Sequence, residues 1–164
     1  MIKGLETAAD PVALFGGEAS SVITQLLQEA ATVYQQTSRA EAILWSAQAI
    51  DPACLPVYFA LYKFYFYKLR LADAEKAALM GLKTAAHQGG FTAEWSRLSH
   101  SDANWNSALG AQHFYLFTLK ALAFIRLRLG RREESLALLD KISELDPGDT
   151  VGSSVIRDLL NELI

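Results

Sequence analysis

A helical pattern that returns at a fixed interval constrains this chain more than any single motif does. Residues 19–36, ASSVITQLLQEAATVYQQ, set Val22, Leu26, Leu27, Ala30 and Val33 on one stripe, and residues 39–50 do the same with Ile43, Leu44, Ala47 and Ile50. The polar run QQTSR separates them, with Thr37 or Ser38 available as an N-cap. About 34 residues further on, the pair returns as helices expected over 56–70 and 73–86. Ala40 and Ala74 open the second member of each pair, and Ala47 and Gly81 follow seven residues later. A third pair, expected over 111–129 and 132–145, is displaced from the second by 61 residues, which is 34 plus an insertion of 27. Pro52 and Pro147 close the first and third pairs, because the residue before a proline is steered out of the helical region. No stretch alternates apolar and polar residues as a half-buried strand would, so the expected class is all-α.

Small residues recur at these intervals because two helices that cross closely leave no room for a large side chain. A single pair cannot bury its apolar face alone, so the pairs must stack. The pattern resembles the tetratricopeptide repeat, a 34-residue helix pair with a loose W-x2-L-G-x2-Y…A-x3-F…P signature. The first unit carries Leu27, Ala31, Ala40, Leu44, Ala47 and Pro52 at signature positions. The second carries Tyr58, Leu61, Tyr62, Tyr65, Ala74, Ala78 and Gly81, and the third Leu119, Leu122, Ala123, Ser135, Leu139, Ile142 and Pro147. The segment ALAFIRLRLGRREESLALLDKISELDP is the best match. Gln28 and Tyr62 stand where the family has a small residue, Ala86 replaces the closing proline of unit two, and Arg126 replaces an aromatic in unit three. The resemblance covers about residues 20–147. It implies a right-handed α-α superhelix of about three helix pairs. The chain then divides into an N-terminal segment (1–18), repeats at 19–52 and 55–87, an insertion (88–110), a repeat at 111–147 and a capping helix within 150–164.

Seven rings crowd into residues 58–67 of VYFALYKFYFYKLRL. Tyr58, Leu61, Tyr62 and Tyr65 share one helical face and are expected to pack inward, while Phe59, Lys63, Phe66 and Arg70 form a second stripe. In the family that second stripe resembles the one facing the concave groove, and the matching positions are Gln25, Glu29 and Thr32 in unit one and Lys120, Phe124 and Leu127 in unit three. The resemblance therefore implies a protein or peptide partner held by Gln25, Glu29, Phe59, Lys63, Phe66, Arg70, Lys120 and Phe124. Rings flanked by cations suit a peptide with an apolar anchor and a carboxylate. The family's clamp for chaperone C-termini is not reproduced, since its positions hold Gln25, Glu29, Phe117 and Ala121. The expected role is that of an adaptor or small chaperone, not an enzyme. The competing reading of the rings is plain core packing.

Other classes find less support. A net charge of −3 lacks the basic footprint of a nucleic-acid binder. The longest apolar stretch, 114–129, is interrupted by Lys120, Arg126 and Arg128, which argues against a membrane span. The first residues, MIKGLETAADPVALFGG, have no continuous apolar region of a signal peptide, so a cytoplasmic location is expected. Apolar residues make up 51% of the chain, an excess that also suits a homodimer. Cys54 has no partner for a disulfide and no neighbouring cation to activate it. The Gly16-Gly17 and Gly89-Gly90 pairs read as a helix start and a helix stop, not as phosphate loops. His100, Asp102 and His113 could supply ligands or catalytic groups, which keeps a metal-handling protein or an enzyme as the alternative; no cofactor is expected. Trp95 and Trp105, in the polar insertion, are expected to fold back on the body.

Overall fold

The computed structural model describes residues 19–163. Those residues form seven α-helices and no strand. They are α1 (Ser21–Thr32), α2 (Thr37–Ile50), α3 (Leu55–Tyr67), α4 (Leu71–Gly89), α5 (Ala111–Arg128), α6 (Arg132–Leu145) and α7 (Ser154–Glu162). The expected helix start at Gly16-Gly17 lies outside the described residues. Ser20 caps α1, its Oγ accepting the Ile23 N–H at 3.3 Å. Thr37 begins α2 instead of capping it; Gln36 takes the cap position without a side-chain bond. Pro56 sits in the first turn of α3, where its missing N–H costs nothing.

Consecutive helices pack against one another, and α1 touches α3 while α3 touches α5. The odd-numbered helices therefore lie side by side, with α2, α4 and α6 behind them. Ring contacts give their direction. Phe59 meets Phe117 and Phe66 meets Phe124, so α3 and α5 run parallel. Tyr34, just past the end of α1, meets Phe64 near the end of α3, so α1 points the same way. α3 is the centre of the stack, with ten of its 13 residues buried. Behind it, α4 presents Ala74, Ala77, Ala78, Gly81 and Ala85, a small-residue face that lets the helices approach closely.

The tyrosines of α3 reach polar partners at their tips. Tyr58 Oη donates to the Pro52 carbonyl at 2.5 Å, and Tyr65 Oη donates to Glu41 at 2.8 Å while accepting from Trp45 Nε1 at 2.7 Å. Tyr62 Oη lies 3.4 Å from the Thr118 hydroxyl. Each ring thus fills core volume without leaving a buried hydroxyl unpaired.

The periodicity read from sequence is present in the backbone bonds. At the end of α3 the N–H groups of Lys68, Leu69 and Arg70 reach the carbonyls of Phe64, Phe66 and Tyr65. At the end of α5, 61 residues later, Leu129, Gly130 and Arg131 reach Ile125, Leu127 and Arg126. The middle residue of each turn is left-handed, Leu69 at φ 59° and Gly130 at φ 79°. The ion pairs repeat as well. Arg70 holds Glu41 of α2 at 2.7 Å, and Arg131 holds Glu75 of α4. The turns after α2 and α6 also match, Asp51 N–H reaching Ala47 and Asp146 N–H reaching Ile142. Unit two departs from the expected 73–86 helix: with Ala86 in place of a closing proline, α4 runs from Leu71 on to Gly89 and ends on left-handed Gly90.

The insertion folds back, as its tryptophans required. Trp105 is 1% exposed, packs on Phe91 and Tyr115, and donates to the Ser99 carbonyl at 3.1 Å. Tyr115 of α5 donates to the Ala93 carbonyl, and Lys141 of α6 to that of Leu98, so the insertion is fastened to unit three. The expected helix at 92–98 is one 3-10 turn, Trp95–Arg97. Finally α7 packs on α5 and α6, burying Ile156 and Leu160. Among the described residues no helix is long and apolar enough to cross a membrane.

Candidate functional site

The face carried by α3 and α5 collects the groups best suited to hold a ligand. The rings of Phe59 and Phe117 lie 5.9 Å apart. The Lys63 ammonium stands 5.6 Å from the centroid of the first, and the Lys120 ammonium 4.4 Å from that of the second. His113, one turn before Phe117 on α5, adds its ring 6.4 Å away. Two cations and an imidazole therefore share one pair of touching rings.

Burial shapes the chemistry of all three basic groups. It pulls the amine of Lys120 below its usual value, with Asp149 acting weakly the other way. It pulls down the amine of Lys63 for the same reason. His113 is lowered first by burial, with Asp146 opposing and Lys120 assisting. Lys120 makes no ion pair among the described residues; its ammonium is steadied by the Phe117 ring. A carboxylate approaching such groups would interact across little water, where charge attraction is much stronger than in bulk.

The other expected site residues stand elsewhere. Phe59, Phe66 and Phe124 are 3%, 9% and 3% exposed, so they are floor and core of this face and not open anchors. Phe66 and Phe124 stack at 5.1 Å, closing the gap between α3 and α5. Arg70 is withdrawn to the α3–α4 turn, where its guanidinium binds both oxygens of Glu41 at 2.7 and 3.2 Å and Asp73 at 2.9 Å. Those carboxylates, Glu41 first, raise its already high pKa further, so this cation is fully engaged. Gln25 remains exposed on α1, and Glu29 pairs with Arg39 at 3.2 Å. Sequence reasoning placed Phe117 at a groove position only as part of a clamp that is not reproduced, and missed His113 as a member of this cluster. The signal was there, since Phe117 and Phe124 repeat the seven-residue spacing of Phe59 and Phe66.

The proposed His100, Asp102 and His113 set does not assemble. Asp102 is used locally, accepting from the Ser99 N–H at 2.6 Å and the Ser99 hydroxyl at 3.1 Å to close a 3-10 turn. Among the described residues no three His, Cys, Asp or Glu side chains gather as a metal site would need. Cys54 is buried, and that burial pushes its thiol up, away from the reactive thiolate.

No model of a known family matches the chain, and no solved structure does. A curated relative does: an uncharacterized 19.8 kDa protein in the nifW 5′ region of Azotobacter chroococcum mcd 1. It is 34% identical over 125 residues, which span 75% of this chain and 70% of the relative.

Proposed function

This chain belongs to the same family as that nifW-region protein, and we propose that it is a tetratricopeptide-like interaction module, an adaptor without catalytic chemistry of its own. The observation that carries this reading is the partly desolvated Lys120 beside the Phe59–Phe117 ring pair. Holding the Lys120 cation half out of water costs stability, and a fold tolerates that cost most readily where the cation has a ligand to meet. The repeating turns and ion pairs favour a right-handed superhelix, whose inner helices would be α1, α3 and α5. The partner that fits is an acidic peptide segment with an apolar or aromatic anchor. Its carboxylate would meet Lys63 and Lys120, and its anchor would rest on the edge of Phe117.

The relative is encoded in a nifW 5′ region, so a nifW product is the first candidate to titrate. The test compares wild type with a Lys63→Glu, Lys120→Glu variant, in capture from native lysate and in titration with that candidate. Reversing two partly buried charges is expected to weaken binding at least tenfold, about 1.4 kcal/mol or more, while the variant still melts cooperatively. A folded variant that retains the partner at unchanged affinity would move the binding surface away from α3 and α5.

A further inference from the structure

We propose that two copies of this chain pair through the end of the stack where α3, α5 and α7 finish, the basic side of each copy facing the acidic side of the other. The contact goes beyond the adaptor reading and uses neither Lys63 nor Lys120.

Three observations support it. The first is unspent apolar surface. Leu69, in the turn after α3, is 72% exposed, Tyr67 beside it 40%, and Leu163, just past α7, 69%. Leu69 is also held at φ 59°, where the equivalent turn after α5 has Gly130. A leucine strained in this way and left in water gains nothing within one copy, and strain of that kind marks a functional contact.

The second is placement. Arg132, in the first turn of α6, donates to the Leu160 carbonyl of α7 at 2.8 Å, while Asp140 further along α6 pairs with Arg157 at 2.9 Å. So α7 runs antiparallel to α6 and parallel with α3 and α5, and Leu163 emerges at the same end as Tyr67 and Leu69. With α5 between α3 and α7, and neighbouring helices about 8–10 Å apart, the two apolar spots are separated by about 16–20 Å.

The third is charge. Arg70, Arg126 and Arg131 at this end are spent on Glu41, Glu75 and Glu134. Lys68 and Arg128 are not. Among the described residues their cations rest only on rings, Lys68 on Tyr34 at 3.9 Å and on Phe64, Arg128 on Phe66 at 5.8 Å. On α7, Asp158 and Glu162 are exposed one turn apart and pair with no described cation. Two unmatched cations therefore stand near Tyr67 and Leu69, and two unmatched carboxylates near Leu163.

A two-fold axis near the end of α5 brings each side of this surface onto the other, so opposite charges meet and Leu69 lies against Leu163 twice over. A contact between identical copies about such an axis must be self-complementary, and this surface is. An acidic outside partner would answer the cations and leave Leu163 and the carboxylates in water. A second copy answers both halves.

The experiment is sedimentation equilibrium of the full chain at micromolar concentration. Wild type is compared with a Lys68→Glu, Arg128→Glu variant, an Asp158→Lys, Glu162→Lys variant, and their equimolar mixture. Wild type is expected to be a dimer, each variant alone to pair at least about tenfold more weakly, and the mixture to recover the dimer, since every reversed charge then meets its opposite. Leu69→Gly relieves the strained turn, so in solutions too dilute for pairing it folds no less well than wild type. Its expected failure to dimerise separates loss of the contact from loss of the fold. A wild type that stays monomeric or grows beyond a dimer would overturn the proposal. So would folded variants that pair as wild type does, or a mixture of them that stays monomeric. Should a reversed variant not melt cooperatively, Leu69→Gly decides alone, and a dimer of undiminished affinity there overturns the proposal.

Discussion

At the scale of single residues, the repeated turn exposes a flaw that a substitution can correct. Leu69 and Gly130 hold the same place after α3 and α5, both with positive φ. Glycine adopts that conformation freely, whereas an L-residue with a Cβ is strained there by about 1–2 kcal/mol. Leu69 is 72% exposed and so recovers little from packing. Leu69→Gly should therefore stabilise the protein by about 0.5–1 kcal/mol after the added freedom of the unfolded chain is subtracted. That is a rise in Tm of about 1–4 °C for a chain of this size, readable in a thermal melt. Gly130→Leu should shift the melt the other way. The equivalence of the two turns was legible in the sequence from the 61-residue offset. That Leu69 would be forced left-handed was not, because a leucine gives no warning of positive φ.

At the scale of elements, close helix crossing is the constraint that the small residues record. A Cβ added at Gly81 of α4 would stand 3.0 Å from the Tyr58 Cβ of α3 and 3.2 Å from two carbons of the Phe114 ring of α5. The Tyr58 Cβ is one bond from its backbone and cannot yield without moving a helix. Alanine would improve helix propensity by about 1 kcal/mol, yet overpacking a tight core costs about 1–3 kcal/mol. Gly81→Ala should thus be net destabilising, by about 1 kcal/mol. Urea unfolding would report it as a lower midpoint with an unchanged slope. Helix pairs, their small-residue faces and the foldback of Trp105 could all be inferred from sequence, because each follows from periodicity or from the cost of an exposed indole. The candidate site was legible only in part. Helical spacing puts Phe59, Lys63, Phe66 and Arg70 on one stripe, but it cannot say that Phe59 and Phe66 would be buried against Phe117 and Phe124 of α5. Nor can it say that Arg70, past the end of α3, would turn to Glu41. Those outcomes depend on the register between helices far apart in sequence.

At the scale of the whole molecule, the units are tied by a repeated ionic latch whose pH dependence can be predicted. Glu41 on α2 reaches forward to Arg70 at the next turn, and Glu75 on α4 reaches forward to Arg131. Each latch therefore fastens the second helix of one unit to the turn of the following unit. The Glu41 carboxyl is held below its usual value of 4.5, first by the hydrogen bond from Arg70 and then by that from Tyr65. A carboxylate whose folded pKa is depressed binds fewer protons folded than unfolded, so its stabilisation is complete above the unfolded value and is lost as pH falls through the folded one. Wild type should then exceed Glu41→Gln in stability by about 1 kcal/mol near neutrality, the upper range for a partly exposed pair. The difference should be constant down to about pH 4.5 and close below it. Urea midpoints measured for both proteins from pH 7 to pH 3 would test this. A gap that persists at pH 3 would show that Glu41 acts through packing against Tyr65 and not through its charge. The same latch bears on the proposed function, because Glu41 of α2 and Arg70 after α3 tie the first helix pair to the second. Loosening it should therefore weaken partner capture in proportion to the stability lost, without any change at Lys63 or Lys120.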